Sequence, residues 1–150
     1  RDGWLEFRRV LFRSEKAVAL AKVYANGKQI EFETEFDDKN SSVFADEVKF
    51  LAALVNIIKN AIEAIEKVGK ISVKTSIKDD FISIIIENNG AKIPEEVQNK
   101  IFSDGFTTKS SGNGIGLYVC QQTLEEQFAR LELLKSDDNS TEFEILVSMV

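Results

Sequence analysis

The stretch Phe81 to Glu87 is a nearly continuous apolar run, Phe-Ile-Ser-Ile-Ile-Ile-Glu, closed off by Lys78-Asp79-Asp80 before it and Asn88-Asn89-Gly90 after it. Such a run reads as a central strand, and a central strand commits the chain to a sheet with strands on both sides. The other elements follow from their periods. Ile30, Phe32, Thr34 and Phe36 alternate, as in a half-buried strand. Ile71 to Ile77 forms a hairpin with the central run, and Leu131 to Lys135 and Phe143 to Val147 form a second one around Asp137-Asp138-Asn139. Between these, Glu15 to Ala25 reads as a short helix stopped by Asn26-Gly27, and Asp46 to Lys67 as a long one ended by Gly69. Asp37 to Ser42 reads as a polar turn. Pro94 opens a short helix with Glu95 and Glu96 in its first turn, and Ile115 to Phe128 reads as the last helix. The expected fold is an α/β (α+β) two-layer sandwich, with a mixed, largely antiparallel five-stranded sheet and about three helices on one face.

Composition enters mainly by exclusion. The 150 residues contain no histidine, which removes a His-ligated metal, a Ser-His-Asp triad and a histidine base. The net charge of -6 offers no positive field for a nucleic acid. One cysteine, Cys120, precludes an internal disulfide and fits a reducing compartment. No apolar run reaches the length of a membrane-spanning helix.

The first residues break the composition. Arg1 to Ser14 carries four arginines and no lysine, whereas the remainder carries fourteen lysines and a single arginine, Arg130. Leu-Glu-Phe-Arg-Arg-Val-Leu-Phe-Arg-Ser also resembles a translated sequencing adapter. Residues 1–14 are therefore read as a non-native, adapter-derived segment. Residues 15–26 are read as a stub of an upstream helical hairpin, and 27–150 as the functional domain.

Three motifs carry chemistry. On the long helix, Leu51, Leu54, Val55, Ile58, Ala61, Ile62 and Ile65 share a stripe, with Asn56, Asn60 and Glu63 opposite it. Two asparagines one turn apart cost helix propensity, while their carbonyls are neutral ligands for a divalent cation shared with phosphate. Glu87-Asn88-Asn89-Gly90 sits at the mouth of the central strand, where Gly90 permits a close backbone approach. Gly112-Asn113-Gly114-Ile115-Gly116-Leu117 leaves backbone N–H groups bare ahead of a helix N-terminus, an anion cradle to which Lys109 adds a charge. The spacing is neither that of a Walker loop nor that of a dinucleotide fingerprint.

Taken together and in order, these motifs resemble the boxes of the GHKL ATPases (gyrase, Hsp90, histidine kinase and MutL type, the Bergerat fold). Asn56-Ile57-Ile58-Lys59-Asn60-Ala61 is similar to their N box, and Asn88-Asn89-Gly90-Ala91-Lys92-Ile93-Pro94 to their G1 box. Ile101-Phe102 through Phe106-Thr107-Thr108-Lys109 is similar to the F box, and Gly112 to Leu117 to the G2 box. Ser140-Thr141-Glu142-Phe143 matches the Gly-Thr-x-Phe before the last strand.

The resemblance implies roles. Asn60 holds Mg²⁺, Asn56 contacts the phosphates, Asn88 faces the adenine amino group and Ile93 lines the adenine pocket. Gly112, Gly114 and Gly116 form the lid and hinge, Thr141 closes the adenine side, and Gly90, Thr108, Lys109, Ile115 and Leu117 complete the nucleotide-binding set. Asn56, Asn60 and Lys109 are the implied catalytic residues, and ATP and Mg²⁺ the implied cofactors.

Three positions depart from the pattern. Asn88 stands where Asp is usual, Lys92 replaces the second G1 glycine, and Phe128-Ala129-Arg130 replaces a Gly-Gly. Position 56 is Glu in the hydrolysing members. Asn56 takes no proton at neutral pH, so the resemblance points to histidine kinases, closest to the citrate/fumarate and peptide-quorum sensors. The implied function is the catalytic ATP-binding domain of a two-component sensor histidine kinase. It donates the γ-phosphoryl group to a histidine on a dimerisation hairpin outside this sequence, with a response regulator downstream and no nucleic-acid partner. Its implied place is the cytoplasm, as part of a soluble or membrane-bound sensor. A non-catalytic interaction module on the same fold and an anti-sigma-type Ser/Thr kinase are the two alternatives.

Overall fold

The computed structural model describes residues 7–11, 14–37, 42–106 and 116–149. The elements in chain order are β1 (Phe7–Leu11), α1 (Ser14–Ala21), β2 (Gln29–Phe36), β3 (Ser42–Asp46), α2 (Glu47–Ala64), β4 (Val68–Lys78), β5 (Phe81–Asn88), α3 (Tyr118–Glu126), β6 (Ala129–Ser136) and β7 (Thr141–Ser148). Short 3₁₀ turns at Lys22–Ala25 and Glu95–Lys100 complete them.

The main sheet has five strands in the order β2-β4-β5-β7-β6, with β5 at its centre as the apolar run requires. Only β2 and β4 run parallel, because α2 carries the chain between them; the other pairs are antiparallel. Alternation sends Ile71, Val73, Ile82, Ile84, Ile86, Leu131, Phe143, Ile145 and Val147 into a core shared with the helices. The opposite face is polar. Lys70 and Lys74 pair with Glu33 there, and Lys78 pairs with Glu144.

Three expectations shift. Ser42, expected in a turn, starts β3, which pairs antiparallel with Phe7–Leu11 in a separate two-stranded sheet. The segment set apart on composition thus has strand backbone here. The buried face of α2 is turned from the expected stripe: Phe50, Ala53 and Ile57 are buried while Leu51 and Val55 are only half-buried. The reason is that α1 and α3 also pack on α2, so more than one stripe is covered. The last helix starts at Tyr118 rather than Ile115 and ends before Phe128, which takes φ 61°. A left-handed residue there costs about 1–2 kcal/mol unless it is glycine.

Within α1, Ala17, Val18 and Ala21 are buried in the common core. Among the described residues no helix is long and apolar enough to cross a membrane.

Candidate functional site

Helix α2 is the axis of the site. Asp46 caps its start, where Oδ1 accepts the Lys49 N–H at 3.2 Å. Its C-terminal end is held by other elements. The Lys28 ammonium donates to the Ile62 carbonyl at 3.0 Å, and the Ala91 N–H donates to the Ala64 carbonyl at 2.8 Å. These bonds satisfy carbonyls that a helix end leaves orphaned. The second bond also joins the turn after β5 to the helix. Gly90 is the reason this fits, since a Cβ there would stand 2.3 Å from the Ala64 oxygen. Gly90 is not at positive φ; close approach alone requires it. The Asn88-Asn89-Gly90 turn is thereby fixed one helical turn beyond Asn60.

Asn88 is buried on the helix-facing side of the sheet, between Ile71 and Thr141 in register. Its Oδ1 accepts the Gly90 N–H at 2.8 Å, and the Asn89 Oδ1 accepts the Lys70 N–H at 2.8 Å. Ile93 is locked at both of its backbone groups. Its N–H donates to the Ser136 Oγ at 2.9 Å, and its carbonyl accepts from the Gln98 amide at 2.9 Å. Ser136 and Thr141 share a hydroxyl hydrogen bond of 2.6 Å. The Ile93 turn and the Asn88–Thr141 strand pair are therefore one buried network. Ser136 and Gln98 were not singled out from the sequence. Ser136 faces inward because the β6 register shifts between Leu133 and Lys135, which reverses the alternation.

Along α2 the other way lie Asn60 and Asn56, both half-buried rather than on a solvated face. The Asn60 Nδ2 is buried with no partner among the described residues. An orphaned amide costs about 1–3 kcal/mol, and a ligand oxygen would recover it. Asn56 reaches α3 beside the buried Cys120 thiol, which donates to the Ala53 carbonyl at 3.4 Å. Burial pushes that thiol up to about 12, with the Asn56 amide opposing the shift, so it stays protonated and inert. A cleft of about 460 Å³ runs between α2 and α3, lined by Lys49, Ala52, Asn56, Lys59, Val119 and Thr123. The Lys59 ammonium lies 4.9 Å from the centre of the Tyr24 ring. Leu117, at the N-cap of α3, offers its first turn no side-chain cap, so among the described residues those N–H groups are open to an anion.

Gly116 is exposed just ahead of α3 and Leu117 is fully buried in the core, so only its backbone can face a ligand. Thr108, Lys109, Gly112, Gly114 and Ile115 lie outside the described residues. The structure thus joins Asn88, Gly90, Ile93 and Thr141 at the C-terminal end of α2, and sets Asn60 and Asn56 along it towards α3. Among the described residues no three acidic or cysteine side chains converge on a metal position. A divalent cation here needs oxygens from its ligand, and the Asn60 amide fits that partial role.

Residues 45–149 match the family described as histidine kinase-, DNA gyrase B-, and HSP90-like ATPase. The signal transduction histidine-protein kinase AtoS of Escherichia coli (strain K12) is 36% identical over 111 residues, covering 73% of this chain and 18% of that protein. The chain therefore spans less than a fifth of that relative's length. The nucleotide-free catalytic domain of histidine kinase ThkA superposes with a TM-score of 0.83 at 28% identity, covering 95% of both chains. A second ThkA structure, in complex with the response regulator protein TrrA, superposes with a TM-score of 0.74 at 26% identity, over 96% of this chain and 42% of that one.

Proposed function

Because this chain belongs to the histidine kinase-, DNA gyrase B-, and HSP90-like ATPases, we propose that it binds Mg-ATP along α2 and donates the γ-phosphoryl group to a histidine. The observation that carries the reading is the seating of the Asn88–Gly90 turn on the Ala64 carbonyl, one turn from the orphaned Asn60 amide. A base held at that turn directs its phosphates along α2 towards Asn56 and the uncapped α3. Mg-ATP supplies the phosphoryl group when bound. Asn60 would hold the cation through its amide oxygen. Asn56 and the α3 N–H groups neutralise and orient the phosphates, and Thr108, Lys109, Gly112, Gly114 and Gly116 would close over them.

Asn56 cannot take a proton, so the site is suited to positioning phosphate for a strong nucleophile rather than to activating water. The sequence holds no histidine, and the acceptor is supplied by a dimerisation hairpin, for which residues 15–26 are the point of entry. The ThkA complex with TrrA supports a response regulator as the downstream partner. The cytoplasm is the compartment proposed for the domain.

Calorimetric titration with Mg-ATP tests the binding step, and a histidine-bearing hairpin supplied in trans tests the transfer. Asn60→Ala should weaken Mg-ATP binding by about 10–100-fold, the loss of a contact to a charged ligand. Its Tm should be unchanged or higher, because an orphaned buried amide is removed. Absence of binding at millimolar Mg-ATP would sink the reading.

A further inference from the structure

The residue at the base end of this site is an amide, and the structure decides which end of that amide is engaged. The Asn88 Oδ1 accepts the Gly90 N–H at 2.8 Å. A backbone N–H can give its proton only to the oxygen, so exchanging the amide's two ends would set donor against donor. The Asn88 Nδ2 donates to none of the described residues, and it is not among the buried atoms left unpaired. Its two protons are what the position adds beyond the turn.

The neighbours impose no fixed polarity. Across the strand, the Thr141 hydroxyl shares its 2.6 Å hydrogen bond with Ser136, and either oxygen can be the donor. Thr141 can therefore present a proton or a lone pair. The carboxylates next in sequence, Glu87 and Glu142, stand opposite each other in register on the outer face, where Glu142 meets Lys135 at 3.5 Å. No ionised acceptor comes from these strands to the helix-facing side.

A carboxylate at position 88 would offer acceptors only. It would match the amino group of a 6-aminopurine and oppose the carbonyl oxygen of a 6-oxopurine. The amide offers both senses. Its Nδ2 can donate to a ring nitrogen of adenine or to the O6 of a 6-oxopurine. The second lone pair of Oδ1 can accept either the adenine amino group or the N1–H of the oxo base.

We propose that Asn88 relaxes base discrimination, so that this site takes 6-oxopurine nucleoside triphosphates as well as ATP. The inference rests on the nucleotide reading above and names the substrate class of that site. The test is calorimetric titration of the whole chain with Mg-ATP and Mg-ITP, inosine being the oxo base that lacks the 2-amino group of guanine. The chain should bind the two within about 10-fold of each other, and Asn88→Asp should disfavour ITP relative to ATP by about 10-fold or more, the discrimination of one base-reading pair. Asn88→Asp keeps an oxygen for the Gly90 N–H, and the wild-type ratio needs no variant at all. Wild-type binding of ATP with strong rejection of ITP overturns this inference alone. Binding of neither nucleotide overturns it together with the reading beneath it.

Discussion

The two ends of the site are built differently. The base end is made of backbone: Gly90 against the Ala64 carbonyl, Ala91 bonded to it, and Ile93 bonded at both its N–H and its carbonyl. At the phosphate end the described side chains, Asn56 and Asn60, sit on one helix, beside the start of α3, and the Asn60 amide nitrogen has no partner among the described residues. The base end is thus part of the folded core, whereas the phosphate end rides on a helix that the core supports for other reasons. Changes at the first should lower stability and binding together. Changes at the second should lower binding alone, as expected for Asn60→Ala.

The sharpest way to break this contrast is Gly90→Ala. The added Cβ meets backbone, which cannot swing aside, so the turn must leave α2. A loss of about 3 kcal/mol or more is expected in urea unfolding, with nucleotide binding lost in the same variant. Normal stability with lost binding would show that the turn is not part of the core.

Ser136→Ala comes next. It orphans the Ile93 N–H and removes the partner of Thr141 without touching a ligand. A cost of about 1–3 kcal/mol is expected in urea unfolding, accompanied by weaker binding. Ser136→Thr, which keeps a hydroxyl, should recover more of both than Ala retains.

The smallest effect lies on the outer face behind the base end. Burial, the hydrogen bond to Glu87 and the charge of Glu87 together raise the Glu142 carboxyl above its ordinary range, with Lys135 opposing them. A raised folded value means the favourable contribution is complete below the unfolded value and is lost as pH rises through the folded one. Glu87→Gln should therefore raise Tm at pH 7, by under about 0.5 kcal/mol in stability, since the site is near the surface. The gain should shrink as pH falls through the Glu142 titration. A gain of equal size at every pH would remove the carboxyl pair as its cause.

Much of the fold was legible from residue pattern. The central place of β5 followed from its unbroken apolar run, and the existence of α2 from its apolar periodicity, although the helix ends at Ala64 and Gly69, expected to stop it, lies inside β4. The β5 turn, read as a site from the sequence, does seat against α2 near Asn60, whereas most of the glycine loop lies outside the described residues. The elements that escaped were those whose partners lie far along the chain. Strand β3 pairs with residues more than 30 positions away, and nothing in Ser42–Asp46 by itself signals that pairing. The rotation of α2 depended on which helices flank it.

The sequence by itself determined the kinds of element and the chemistry available to the site, because periodicity, capping and glycine placement act over a few residues. Only the tertiary structure decided how that chemistry is aimed. One shifted register in β6 turned Ser136 inward to Thr141 and Ile93. One close approach of Gly90 to α2 set the base end beside Asn60. One backbone N–H engaged the Asn88 oxygen and left its nitrogen without a partner among the described residues. Each depends on where another segment lies in space, and local sequence carries no record of that.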